Sequence, residues 1–428
     1  MFKPRSKDEI LQQRFFIGFQ DAFVGPPQSS RKFVNLDSVA VNDFDKLDEL
    51  SYKDLHSFVV EYRGRSEVFT PENEWYRFEL ASVTSRSNAR IIPLLPDGYG
   101  EPLAVYLSGA ERLPPLQSAS AKGNPHRQPS QRFDLGGITR GMRLSSLSGH
   151  GRLALAQQEN IQPIKTTVVV HDVGQASCVS ILQRPPSGEL TAYLKVTLNG
   201  RSYVDFEKVM LDCGLPLYFN WERDRRRKYG IAAQPVDGTL IVLSHWDMDH
   251  YELGRRNLDR SNMWLAPTQV VGPTSWRIAN HLSEQERIAF VEPNFELHLD
   301  TISLWRGPVS AKLNDSGILV AVAGASVGDN GRMETRRFLY PADCPLSCMD
   351  LAQAPALGSG EEIHLVVSHH GSEPWNHRLT GHPGNAVISS GWRNYYKHPD
   401  PQAVRTYQAA RFTVSDTRLM QKDISIEL

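Results

Sequence analysis

The residues with the clearest chemical potential lie in one hexapeptide, His245-Trp246-Asp247-Met248-Asp249-His250. Imidazoles and carboxylates at alternate and adjacent positions of a tight loop can face two different ions. Mixed nitrogen and oxygen ligation suits Zn, Mn or Fe, whereas Ca prefers oxygen alone. Two ions about 3.5 to 4 Å apart can share a bridging hydroxide and a bridging carboxylate, clamping the attacking and leaving oxygens of a displacement. Alone, the hexapeptide reads equally well as a polar loop or a helix cap. Three further elements join it: Asp212 after Met210-Leu211, Asp343 after Leu339-Tyr340, and His369-His370 after Val367-Ser368. Singly, each fits a turn. Together they describe ligands projected from strand ends into a shared crevice, which is how a rigid sheet holds a metal cluster.

The surrounding chain supplies such strands. Thr166–Val170, Cys178–Leu182, Lys208–Leu211, Thr239–Leu243, Gly317–Val322, Ile363–Val367 and Ala386–Ser389 are apolar runs of strand length, several suited to burial on both faces. Tyr251–Met263, Ser275–Phe290 and Pro401–Ala410 have the spacing of helices between them, and strands alternating with helices predict a layered α/β domain over residues 161–428. Residues 1–113 read as a small mixed α/β unit. Asp43–Val59 carries Phe44, Leu47, Leu50, Leu55 and Phe58 at near-helical spacing, and Trp75–Val83 alternates like a strand. Residues 114–160 are Pro-, Ser- and Gly-rich and basic, with the composition of a linker or long loop.

Composition sets the remaining bounds. Lys and Arg total 47 against 48 acids, so bulk charge names no polyanionic partner, and any nucleic-acid signal must be local. Four cysteines in 428 residues do not make a disulfide framework; reduced thiols in the cytoplasm are expected. Met1–Phe23 does not read as a signal peptide, and no run approaches the roughly 18 to 20 apolar residues of a membrane span. A soluble, cytoplasmic chain without a membrane partner is the expectation.

From Thr166 to Leu428 the chain resembles the metallo-β-lactamase-fold hydrolase domain of the ComEC-type competence proteins. His171-Asp172-Val173-Gly174-Gln175 resembles that group's D-V-G-Q loop, and Leu211-Asp212-Cys213-Gly214 its L-I-D-T-G. The ligand loop matches with Asp247, where most lactamase-fold enzymes have His and this group has Asp. Asn314-Asp315-Ser316, Leu339–Asp343, His369-His370-Gly371-Ser372 and Ala386–Gly391 followed by Asn394–Pro399 match further motifs in order.

The resemblance implies an αββα sandwich, two central mixed sheets flanked by helices, with a small N-terminal α/β extension. It implies two divalent ions, Zn2+ or Mn2+. His245 and Asp247 would hold one ion; Asp249, His250 and His369 the other, with Asp343 bridging. His370 could replace His369. Asp212 would orient a ligand histidine. Asp249 and His398 would serve catalysis, His398 as phosphate contact or proton donor, although a structural His before a Pro turn reads the same way. Gln175, Ser372, Asn394 and Lys397 would meet substrate. Departures are specific: Ala176 and Ser177 replace Gly and Asp, Ala342 replaces Gly, and neither His281 nor His298 has the setting of the lone ligand histidine common between the loop and the bridging Asp.

Arg225, Arg226 and Arg227, set between Trp221 and Tyr229, suit a phosphodiester backbone with stacked bases, and Arg255, Arg256 and Arg260 follow the ligand loop. The leading expectation is therefore a phosphodiesterase or nuclease with nucleic acid as substrate. Two alternatives stand beside it. One is hydrolysis of a small ester, lactone or cyclic or nucleotide phosphate; the other is a partner-binding module with reduced catalysis, the N-terminal unit docking a protein.

Overall fold

The structure is a computed structural model. It describes residues 7–24, 31–49, 56–63, 69, 74–82, 87–95, 98–99, 103–113, 134–138, 142–144, 154–155, 165–174, 176–184, 194–198, 201–206, 208–215, 233–298, 302–308, 310, 313–327, 333–345, 361–372, 374–375, 382–391 and 397–428. The chain divides into two compact units, residues 1–140 with 269–284, and residues 141–268 with 285–428.

The first unit is built on six strands: β1 (Phe15–Val24), β2 (Arg31–Ala40), β3 (His56–Arg63), β4 (Trp75–Ser82), β5 (Ala89–Leu95) and β6 (Leu103–Arg112). They pair in the order β3-β2-β1-β4-β6-β5, and β5 pairs back onto β3 with Val60 opposite Ile91, so the antiparallel sheet closes into a barrel. Alternating side chains fill its interior. Phe16 stacks on Phe78 at 5.5 Å and meets Phe58 edge-on at 5.4 Å, with Phe69 and Tyr76 completing the aromatic core. The helix Pro273–Glu284 belongs to this unit, and the Asp37 carboxylate of β2 accepts from the Thr274 and Ser275 N–H groups at its start.

The second unit holds two large mixed sheets, beside a small antiparallel sheet of Ala154–Leu155, Leu194–Leu198 and Arg201–Phe206. The strands of the two mixed sheets are β7 (Met142–Leu144), β8 (Lys165–Val170), β9 (Cys178–Arg184), β10 (Lys208–Cys213), β11 (Leu240–Val242), β12 (Met263–Pro267), β13 (Ile288–Val291), β14 (Glu296–His298), β15 (Ile302–Arg306), β16 (Ile318–Val327), β17 (Met333–Tyr340), β18 (Glu362–Val366), β19 (His382–Ile388), β20 (Thr413–Asp416) and β21 (Ile424–Glu427). One sheet runs β21-β8-β9-β10-β11-β12-β13-β7, the other β14-β15-β16-β17-β18-β19-β20. From β10 to β7 in the first and β17 to β20 in the second the pairing is parallel. Strands β11, β12 and β13 are buried at every position, as their unbroken apolar runs require. Residues from both sheets, among them Val168, Leu211, Val242, Val320, Phe338 and Val366, share one hydrophobic core.

The expected architecture is overturned. Strands dominate, and the N-terminal unit is a closed antiparallel barrel rather than an α/β extension. Of the apolar residues of Asp43–Val59, Phe44 and Leu47 fall in a 3-10 turn, Val41–Glu49, and Phe58 in strand β3, two elements that imitate a helical period when read as one segment; Leu50 and Leu55 lie outside the described residues. The helices expected over Tyr251–Met263 and Ser275–Phe290 are shorter, Met248–Arg255 and Pro273–Glu284, because their C-terminal ends become β12 and β13. Since Pro273–Glu284 belongs to the barrel unit, an αββα sandwich does not describe this chain.

Candidate metal centre

Asp212 sits where β9 and β10 change register. Cys178 faces Cys213 and Val179 faces Leu211, so Asp212 is the extra residue of a bulge, with a left-handed φ of 56°. Its fully buried carboxylate accepts from the Ser244 N–H (2.6 Å), the Ser244 hydroxyl (2.7 Å), the Tyr340 hydroxyl (2.5 Å) and His250 Nδ1 (2.6 Å). An ionised carboxylate only accepts, so Nδ1 of His250 carries a proton and Nε2 is the nitrogen turned to the site.

The ligand loop leaves β11 and turns at Asp247 into the helix Met248–Arg255. The Ser177 N–H donates to the Asp249 carbonyl at 3.2 Å, and the Gly214 N–H donates to the Ser177 carbonyl at 2.9 Å. A Cβ at Gly214 would fall 1.6 Å from the Asp249 carbonyl oxygen, so only glycine lets β10 approach the loop this closely. His245 Nδ1 lies 2.9 Å from the Ser244 hydroxyl, and its Nε2 lies 3.1 Å from Asp247 Oδ2.

Asp343 and the histidine pair enter from the second sheet. The His369 N–H donates to the carbonyl of Ala342 at 3.0 Å, and the consecutive left-handed φ values of His369 (47°) and His370 (53°) turn the two rings apart. His370 Nδ1 donates to the Ser389 carbonyl at 2.8 Å, while the Ser389 hydroxyl donates to the Ala176 carbonyl at 2.7 Å. His370 Nε2 is thereby fixed 3.4 Å from Asp249 Oδ2 and 3.8 Å from Asp343 Oδ1. His250 Nε2 lies 3.3 Å from the same Asp343 oxygen. His369, one third exposed, approaches Asp343 Oδ2 at 3.6 Å and belongs to neither ligand group found among the described residues. Those groups are His245, His250 and Asp343, and Asp249, His250 and His370, with ligand atoms within 4.8 Å of one another. His370, the open alternative, is the member of the pair that joins a candidate group.

His250 Nε2, His370 Nε2 and Asp343 Oδ1 are buried and have no hydrogen-bond partner. Such atoms are costly unless something pairs with them, and lone pairs converging with carboxylates fit a divalent cation. Charge is arranged accordingly. Burial opposes ionisation, yet the His250, His369 and His370 rings hold the Asp343 carboxyl well below the usual range. Burial likewise opposes charge on His250, but Asp343, Asp212 and Asp249 raise its imidazole well above the ordinary value. His245 is pushed down to about 4 by burial and by His250, leaving it neutral.

The remaining expected residues fall into two sets. His398 stands beside the site, its ring centroid 5.7 Å from that of His369. Gly371 (φ 88°) brings its loop against the following segment: the Asp400 N–H donates to its carbonyl at 2.9 Å, and a Cβ there would meet Pro399 at 2.6 Å. Burial and the His369 and His370 rings push His398 down to about 3. Ser372 follows directly, with a buried hydroxyl that lacks a partner, and Lys397 is exposed. Gln175, Asn394, Arg225, Arg226 and Arg227 lie outside the described residues.

Part of the expected basic surface is internal. Arg255 Nε and Nη2 donate to Glu252 at 2.7 and 2.9 Å, and Arg256 Nε donates to the same carboxylate at 2.9 Å. The i, i+3 and i, i+4 spacing from Glu252 was visible in the sequence and is the signal that could have shown it. Sequence reasoning also missed Ser244, Tyr340 and Ser389, which orient the ligand rings. It missed Asp423, which accepts from the Asp172 N–H at 2.8 Å and pairs with His171 Nδ1 at 2.8 Å.

No family model matches the chain, and no curated relative matches it. Among solved structures it is similar to a point mutant of the CmlA β-hydroxylase, with 13% identity, a TM-score of 0.34, and 98% of this chain and 76% of that chain covered. It is also similar to CmlA, a diiron β-hydroxylase from Streptomyces venezuelae, with 11% identity, a TM-score of 0.31, and coverage of 99% and 78%. A long form RNase Z from yeast gives 11% identity, a TM-score of 0.31, and coverage of 85% and 52%. At these scores the likeness establishes neither a common fold nor a common chemistry.

Proposed function

We propose that this chain is a metal-dependent hydrolase of phosphodiesters, with nucleic acid as the leading substrate and Zn2+ or Mn2+ as the metal. The observation that carries the proposal is the convergence of His250 Nε2, His370 Nε2 and Asp343 Oδ1, buried and unpartnered, beside the Asp249 carboxylate. The order of the motifs, similar to that of competence-type hydrolases, supports it. A bound divalent ion supplies a hydroxide near neutral pH and stabilises charge on a phosphoryl oxygen. Asp212 and the Ser389 carbonyl fix the tautomers of His250 and His370 so that both present Nε2. Asp249 and Asp343 offset the charge of the ion. Ser372, two residues after His370, and the exposed Lys397, next to His398 in the chain, would meet phosphate oxygens. His398 is uncharged at neutral pH, which favours a hydrogen bond to phosphate over the role of proton donor.

A second reading, a small phosphoester as substrate, is favoured by one observation: Arg255 and Arg256 are both tied to Glu252, which offsets half of their charge and weakens them as part of a polynucleotide track. Cleavage assays on single- and double-stranded DNA and RNA and on a cyclic dinucleotide, with Mn2+ or Zn2+, separate the two. Polynucleotide cleavage lost in Asp249→Ala supports the first reading. Cleavage confined to the small substrate selects the second, and activity unaffected by Asp249→Ala removes this site from both.

A further inference from the structure

We infer that the metal centre is asymmetric: Asp249, His250, His370 and Asp343 form one resident metal position, and His245 with Asp247 forms an incomplete position that fills only when a phosphodiester adds an oxygen ligand. The inference rests on the metal-dependent reading above and concerns how many ions this chain holds by itself.

The two candidate ligand groups both use His250. Its Nδ1 is committed to Asp212 at 2.6 Å, so the ring has one lone pair to give, and one imidazole nitrogen binds one ion. The surroundings decide which group receives it. Of the buried atoms without a hydrogen-bond partner, His370 Nε2 lies on the Asp249 side, while His250 Nε2 and Asp343 Oδ1 are within reach of both groups. Asp343 Oδ1 is 3.3 Å from His250 Nε2 and 3.8 Å from His370 Nε2, while Asp249 approaches the same rings at 3.9 and 3.4 Å. Two imidazoles and two carboxylates make a complete four-donor set, and two carboxylates neutralise a divalent ion.

With His250 assigned there, the other position keeps His245 and Asp247, 3.1 Å apart, and at most a shared oxygen of Asp343. No further ligand converges on it among the described residues. His281 lies on the helix Pro273–Glu284 of the barrel unit, and His298 lies on β14; neither joins a ligand group. Three protein donors, one of them shared, leave room for a substrate oxygen, as in catalytic rather than structural metal positions. Affinity for the ion alone is correspondingly low at this position.

The full chain, stripped with chelator and titrated with Mn2+ or Zn2+, tests this by calorimetry, by metal content after gel filtration, and by the electron paramagnetic resonance of bound Mn2+. One ion per chain is expected, with an isolated Mn2+ spectrum and a second event weaker by roughly tenfold or more. Dimethyl phosphate, an unreactive phosphodiester, should raise the count towards two and couple the spins. His245→Ala should keep the first ion, whereas His370→Ala, checked for folding by circular dichroism, should lose it. Two ions of equal affinity without phosphate, or a first ion lost in His245→Ala and kept in His370→Ala, would overturn the inference. A second ion indifferent to dimethyl phosphate would overturn the role given to substrate. Failure to bind any divalent ion overturns both this inference and the proposed function. One bound ion without phosphodiester cleavage supports the inference and overturns the function alone.

Discussion

At the scale of single residues, the centre depends on side chains that need touch no ion. Asp212 gathers four donors and sets the tautomer of His250, so its replacement reaches the ion through that ring. Asp212→Asn should weaken metal binding by roughly 10- to 100-fold, measured by calorimetry with Mn2+ or Zn2+, because an amide cannot accept from all four donors. Unchanged affinity would mean that His250 is oriented by other groups. The sequence showed Asp212 because it directly follows an apolar run, and it showed the hexapeptide because ligands within one loop are contiguous. It left His369 and His370 open, since adjacent residues differ only in which ring turns inward. The Ser389 carbonyl that selects His370 comes from another strand, β19, and its following turn, and no local pattern announces a backbone acceptor.

At the scale of elements, loops between strands hold the site, and the last strand secures one of them. Asp423, just before β21, binds the His171 ring and the Asp172 N–H at the end of β8. Burial opposes both charges, but the hydrogen bond from His171 lowers the Asp423 carboxyl, and that same bond raises the His171 imidazole above its ordinary 6.5. A depressed carboxyl contributes stability above its unfolded value and loses it as pH falls through the folded one. A raised imidazole contributes fully below its unfolded value and loses it as pH rises through the folded one. The pair is therefore strongest between the ordinary carboxylate and imidazole ranges, about pH 4 to 6.5. Asp423→Asn should cost about 1 kcal/mol at pH 6, discounted for the partly exposed carboxylate, and less at pH 9. Thermal unfolding at both pH values checks this; an equal loss at both would assign the effect to neutral contacts. A pairing some 250 residues apart leaves no trace in either local sequence, which is why the D-V-G-Q-like loop was legible and its anchor was not. The strands after which ligands follow were legible as apolar runs. The helices were overextended because apolar periodicity continues unbroken from a helix end into the next buried strand.

At the scale of the molecule, chain order and spatial units do not coincide. The barrel closes through β3 and β5, a non-local pairing that alternation within each strand cannot reveal. It also takes in a helix from residues 273–284, between two strands of the other unit. The buried Asp37 carboxylate satisfies N–H groups at that helix start, which would otherwise remain as orphan donors. Asp37→Ala should destabilise the barrel unit by about 1–2 kcal/mol, read from denaturant unfolding, with little effect on metal affinity. An equal loss of metal binding would show that the two units are energetically one. No helix among the described residues is long and apolar enough to cross a membrane.

The central claim, that hydrolysis depends on an ion held by His250, His370, Asp249 and Asp343, is tested most directly by removing that ion and restoring it. Protein stripped with chelator and dialysed should lose phosphodiester cleavage, and activity should return as Mn2+ or Zn2+ is added back, in wild type but not in Asp343→Asn. Cleavage that persists in stripped protein, or reloaded protein inert towards every phosphodiester tried, would contradict the account.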